Sequence, residues 1–124
     1  MKKKELEKYV KGYLESWTGN NPKKVLQYFG KNATFVDPAN PQGLQSRDTL
    51  KSYLTPLVKR NKEWTWEMQE LIPNKKGCIV KSKAIIPLAK KKVEVNCIEI
   101  IELKGQKIIR NEIFFDQPRG YKVK

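Results

Sequence analysis

The chain has 124 residues, of which 26 are Lys or Arg, 13 are Asp or Glu and none is His. The length fits a single domain over residues 1–124 that buries roughly two-thirds of its unfolded surface, and 39% hydrophobic residues exclude a disordered polycation. The absence of His excludes His triads, His metal ligands and His pH switches, while the +13 charge rests on 22 Lys and only 4 Arg, a poor basis for the Arg-dependent reading of nucleic-acid sequence.

Residues 3–18 place Leu6, Val10, Tyr13, Leu14 and Trp17 at helical spacing, which predicts a first helix stopped by Gly19-Asn20-Asn21. Asn21 is a suitable N-cap and Pro22 a suitable first residue for a short second helix. Val25, Leu26 and Phe29 would face inward from it, and Gly30 would end it. A short strand is expected over 32–37 and a loop over 38–43, where two Pro and one Gly fall close together. Ser46 then caps a third helix with a stripe of Leu50, Tyr53, Leu54, Leu57 and Val58, and Pro56 predicts a kink or break within it.

From residue 63 the apolar period changes to two, giving strands over 63–72, 77–87, 91–103 and 107–116. The short connections between them predict an antiparallel sheet. Helices first and a strand meander after them predict an α+β fold with the helices on one sheet face.

Strand alternation supplies the candidate site. Over 93–103 one face carries Val93, Val95, Cys97, Glu99, Ile101 and Leu103, apolar except for Glu99. A carboxylate in such company must pair with a cation, reach water in a cavity, or stay protonated. On the last strand Ile109, Asn111, Ile113 and Phe115 share a face, with Asn111 the polar member. Trp64, Trp66 and Met68 fall together on an earlier strand, as core or as the wall of an aromatic cavity. Tyr13 lies on a buried stripe and needs a partner for its hydroxyl. Asp37 precedes Pro38, where turn chemistry alone accounts for an Asp.

Cys78 and Cys97 are too few for a disulfide scaffold or a zinc site and are not placed opposite each other, so free thiols are expected. No Gly-rich phosphate loop, nucleophile elbow or metal-ligand spacing occurs, so neither a cofactor nor a metal is expected. The N-terminus carries no apolar signal core and no run reaches membrane-spanning length, which reads as a cytoplasmic chain without membrane insertion.

The order of elements resembles the nuclear transport factor 2-like superfamily, in its SnoaL-like and ketosteroid isomerase branch. The residues carrying the resemblance are Tyr13-Leu14-Glu15-Ser16-Trp17, Asn32-Ala33-Thr34-Phe35-Val36-Asp37-Pro38, Ser46-Arg47-Asp48 and the closing strand from Lys107 to Asp116. It implies a cone, with a curved antiparallel sheet wrapped around three helices and a pocket at the wide end. It implies a catalytic set of Asp37 as base, with Tyr13 and a protonated Glu99 as oxyanion donors. Trp17, Phe35, Trp66, Cys97, Asn111, Ile113 and Phe115 would form the substrate pocket for a small apolar or carbonyl-containing ligand. Homodimerisation through the convex face, carrying Ile98, Ile100 and Phe114, is implied as well. Three functions stay open: an isomerase- or cyclase-type enzyme, a noncatalytic ligand-binding homodimer, and a nonspecific binder of anionic surfaces.

Overall fold

The computed structural model describes residues 1–116. Helices α1 (Lys3–Ser16) and α2 (Pro22–Leu26) precede strands β1 (Phe29–Asp37) and β2 (Asn40–Gln45). Helix α3 (Arg47–Arg60) follows, then β3 (Thr65–Pro73), β4 (Gly77–Leu88), β5 (Lys91–Lys104) and β6 (Lys107–Phe115). One six-stranded sheet has the order β2-β1-β6-β5-β4-β3. The fold is α+β, three helices on the inner face of a curved, unclosed sheet. Its pairings are antiparallel except that β1 runs parallel to β6.

The helices begin where their caps allow. The Asn21 side chain accepts from the Lys24 amide, and Ser46 Oγ accepts from the Thr49 amide at 3.2 Å. Their apolar stripes meet the sheet in one core that includes Val10, Tyr13, Leu14, Leu50, Leu54 and Val58 against Phe29, Phe35, Val80, Ile101 and Ile108. Burial of these stripes holds the helices in place, since isolated segments of this length are marginal in water.

Four local expectations change. Helix α2 ends at Leu26, and Phe29 and Gly30 already belong to β1. Phe29 pairs with Ile108, so the aromatic ring enters the core from the sheet. The stretch expected as a loop holds the strand β2. As an edge strand, β2 pairs on one side only, which leaves room for Pro41. Helix α3 runs through Pro56, which is exposed, as is Ser52 one turn before it, so the carbonyl left without an N–H partner lies on the solvent side of the helix.

The fourth change is on β6. Glu102 pairs with Arg110 but Leu103 pairs with Ile108, leaving Ile109 as an extra residue in a bulge. Ile108 and Asn111 are therefore both buried, and Ile109 is 39% exposed instead of sharing the face of Asn111. A second bulge, at Gln69, keeps Trp66, Met68 and Leu71 on the inner side of β3. Such insertions bend a strand and add twist, which gives the sheet its curvature. The outer face exposes Ile72, Ile79, Ile98 and Phe114, and Ile98 pairs directly with Phe114.

Gly77 opens β4 where a Cβ would lie 2.1 Å from the Ile101 carbonyl oxygen. Gly77→Ala is expected to force β4 away from β5 and cost about 1–3 kcal/mol or more. Gly105→Ala, at φ +62 with open space around it, is expected to cost only about 1 kcal/mol. Urea unfolding of both variants checks the ranking.

Candidate functional site

The inner residues of β5 belong to two different clusters. Val95 and Cys97 pack with Ala84 and Ile86, and Trp64, Trp66 and Phe115 close over them. Ile101 belongs to the main core. Glu99 lies between Cys97 and Ile101 on the same face, at the seam of the two clusters. A partly enclosed cavity of about 210 Å³ takes its walls from both sides: Leu14, Trp17, Phe35 and Leu57 from one, Trp64, Trp66 and Phe115 from the other. The aromatic wall is nearly continuous, with Trp17 stacked on Phe35 and tilted against Trp66 at 6.2 Å. Polar groups reach the cavity from Asp37, Tyr53, Arg60, Asn61 and Glu99.

Asp37 ends β1 and is held by three donors. Its Oδ1 accepts from the backbone amide and the side-chain amide of Asn40, both at 2.9 Å. Its Oδ2 accepts from the Tyr53 hydroxyl at 2.6 Å. Burial, followed by the hydrogen bond to Asp37, drives the Tyr53 phenol well above its ordinary range, so it stays a donor. The Asn40 bonds close the tight turn into β2, and the Tyr53 bond ties that turn to α3.

Glu99 is 2% exposed. Burial raises its carboxyl to about 7, opposed by one hydrogen bond, from Asn111 Nδ2 to Oε1 at 3.1 Å. The ion pairs among the described residues join other groups, Lys83 with Glu94 and Arg110 with Glu102 and Glu112. Of the sequence alternatives for Glu99, pairing with a cation is therefore not the one found. The carboxyl meets a neutral amide and a cavity.

Asp37, Glu99, Trp17, Phe35, Trp66, Ile113 and Phe115 all line the cavity. Tyr13, Cys97 and Asn111 do not, which corrects their placement as cavity-facing groups. Tyr13 is fully buried behind the wall among Trp17, Tyr28 and Phe29, and its hydroxyl donates to Asn111 Oδ1 at 2.6 Å. The Cys97 thiol donates weakly to the Val95 carbonyl, and burial, aided by Glu99, pushes it up to about 12. Cys78 is likewise a buried free thiol, pushed up to about 11. Both are unreactive packing groups.

Sequence reasoning missed Tyr53, Arg60 and Asn61. Tyr53 looked like one more member of an apolar helical stripe. The signal available was its hydroxyl, which needs a partner when half-buried, as for Tyr13. Among the described residues no three Cys, Asp or Glu side chains gather as a metal site requires, and no helix is long and apolar enough to cross a membrane.

Glu99 also carries a stability signature. The folded chain holds the Glu99 proton to about pH 7, and the unfolded chain releases it near 4.5. This contribution is complete below the unfolded value and lost as pH rises through the folded one. Relative to Glu99→Gln, the wild type is expected to lose roughly 3 kcal/mol between pH 4 and 8. Urea unfolding across that range checks it, and a flat difference means that Glu99 ionises as it does in water.

A family model for the SnoaL-like domain matches residues 10–111. No curated protein matches the chain. Among solved structures, the epoxide hydrolase/cyclase-like enzyme SalBIII, with a role in pyran ring formation in the polyether salinomycin, is 18% identical with a TM-score of 0.77, over 95% of each chain. A putative SnoaL-like polyketide cyclase from Jannaschia sp. CCS1 is 10% identical with a TM-score of 0.73, over 91% of this chain and 86% of the other. A hypothetical protein with a ketosteroid isomerase-like fold from Catenulispora acidiphila DSM 44928, in complex with trimethylamine, is 16% identical with a TM-score of 0.73, over 86% and 83%. At these identities the likeness is one of fold.

Proposed function

The chain belongs to the SnoaL-like domain family, and on that premise we propose that its cavity takes a small, mainly apolar molecule bearing a carbonyl. Asp37 and Glu99 act on that molecule as base and acid in isomerase- or cyclase-type chemistry. The observation that carries this reading is the presence of two carboxyl groups in unlike surroundings on one aromatic-walled cavity. Asp37 is oriented by three donors. Glu99 is buried and keeps its proton to about pH 7. Such a pair divides acid and base roles by environment.

In this mechanism Asp37 takes a proton from the carbon next to the carbonyl, and protonated Glu99 donates a hydrogen bond to the oxygen as charge develops there. Trp17, Phe35, Trp66 and Phe115 surround the apolar part and exclude water. The volume of about 210 Å³ lies below the roughly 300–1,000 Å³ of sites for drug-sized ligands, which favours a compact substrate. The cyclase-type names of the SalBIII and Jannaschia relatives agree with chemistry on an oxygen-bearing small molecule.

A second reading is a binding module without turnover. The Asp37–Asn40 bonds favour it, because closing the β1–β2 turn is by itself a sufficient role for Asp37. The two readings separate at Asp37→Asn. Catalysis predicts a loss of about 10²–10⁴-fold in turnover of a carbonyl compound first found by thermal-shift screening, with ligand binding retained. Equal turnover by variant and wild type would count against Asp37 as base.

We also propose a homodimer through the outer sheet face. Ile98 and Phe114 are 42% and 48% exposed and adjacent, and Ile72 and Ile79 extend the apolar surface. An apolar face of this kind suits self-association. Sedimentation equilibrium is expected to show a dimer that Phe114→Asp converts to monomer. An unchanged mass would remove this face from consideration.

A further inference from the structure

Behind the cavity wall, three side chains from three elements form one hydrogen-bonded line. Tyr13 on α1 donates to Asn111 Oδ1 on β6, and Asn111 Nδ2 donates to Glu99 Oε1 on β5. Asn111 Nδ2 also lies 3.3 Å from the Ile100 carbonyl oxygen. That carbonyl decides which way the amide points. A flipped amide would set Asn111 Oδ1 against the Ile100 oxygen, two acceptors with no proton between them. The NH₂ end therefore faces Ile100 and Glu99, the oxygen end faces Tyr13, and the Tyr13 hydroxyl has to donate.

The same logic continues to the carboxyl. Glu99 Oε1 faces an N–H donor and can only accept. When Glu99 is neutral, its proton belongs on Oε2, which has no protein partner among the described residues. Ser82 Oγ is the one fully buried, unpartnered side-chain oxygen or nitrogen among those residues. Oε2 is unpartnered too, so it keeps contact with open space, and Glu99 lines the cavity.

We propose that Tyr13 is a positioning residue that, by donating to Asn111 Oδ1, strengthens the Asn111 N–H bond to Glu99 Oε1 and so keeps the Glu99 proton on the oxygen facing the cavity, and that the ligand meets it with an uncharged acceptor such as a carbonyl, ether or epoxide oxygen. This rests on reading the Asp37–Glu99 cavity as the ligand site, and it deepens that reading by giving Tyr13 and Asn111, which stand behind the wall, a part in how Glu99 presents its proton. Tyr13 touches no ligand.

The groups around Glu99 leave its titration legible. Tyr13 on α1, Cys78 on β4 and Cys97 on β5 all have raised pKa values, burial being the first cause and Glu99 the next, and they remain protonated near neutrality. Asp37 on β1 and Arg60 on α3 reach the same cavity, Arg60 from an exposed position.

The test is an NMR titration of the full chain with ¹³C-labelled Glu and ¹⁵N-labelled Asn, with Glu99→Gln as the assignment control. In the wild type the Asn111 side-chain amide resonances are expected to shift with the Glu99 midpoint. An amide that ignores that titration overturns the proposal, and this needs no variant that disturbs folding. Tyr13→Phe removes the donor that polarises the amide, which weakens the N–H bond to ionised Glu99. The Glu99 midpoint is expected to rise by roughly half to one pH unit. A merely structural Tyr13 would lower stability and leave the midpoint in place, and that result also overturns the proposal. For the ligand end the probe is cyclohexanone against methylenecyclohexane. Cyclohexanone is expected to bind at least several-fold better at pH 5 and to lose that advantage above pH 8. Equal binding of the two at pH 5 removes the acceptor assignment. The Glu99 titration stands whether or not Asp37→Asn changes turnover, so the two readings fail separately.

Discussion

One extra residue in β6 sets the register on which core and cavity both depend. With Ile109 bulged outward, Ile108 and Asn111 point inward although they are three apart in sequence. Ile108 joins the main core and pairs with Phe29 of β1 across the parallel junction. Asn111 reaches Glu99, and beyond it Ile113 and Phe115 line the cavity. A strand with unbroken alternation could not serve both ends, because an inward Asn111 would send Ile108 to solvent. The bulge also bends the sheet at that point, so the curvature that makes room for a cavity and the side chains that line it have a common origin.

The carboxyl of Glu99 persists at the seam because each side of it solves a different problem. Toward the core, Asn111 satisfies one oxygen, and Tyr13 satisfies the amide oxygen in turn. A buried Asn with an unpartnered carbonyl would be costly, so Tyr13 is needed as soon as Asn111 is inside. Toward the cavity, a neutral carboxyl avoids the much larger cost of a buried charge. Aromatic rings form a large part of the wall beside aliphatic side chains, and several of them hold its shape through mutual contact. Trp66 matters most here, since it packs on both clusters and touches both Trp17 and Trp64.

How far the sequence reveals this depends on whether alternation is interrupted. Strand β5 is unbroken from Val93 to Glu102, so Glu99 stands out as a lone acid on an apolar face. Strand β6 carries a bulge that no residue type announces, and the alternation rule puts Ile109 on the wrong side. Strand β2 is hidden by Pro41 and Gly43, which signal a loop everywhere except on an edge. Tyr53 is hidden because a phenol on a helical stripe is also a good core residue, and only the fold brings it to Asp37. Tyr13 is the reverse case. Its need for a partner is legible, but its depth in the core is not, and the partner proves to be Asn111 rather than a ligand.

Magnitudes also settle what the +13 charge does to this site. A positive field favours ionised carboxylates and would lower the Glu99 pKa, against the direction found. Among the described residues nearly every Lys is exposed, where water and salt weaken its charge. Desolvation acts at contact distance and is not screened, and it moves Glu99 from 4.5 to about 7. Local burial therefore outweighs the global charge. Among the described residues the one cation on the cavity lining, Arg60, is exposed, where water weakens its reach inward. The chain thus keeps a strongly basic composition around an acid that holds its proton to about pH 7, and the two coexist because the local cost of desolvating the carboxylate outweighs the distant charges.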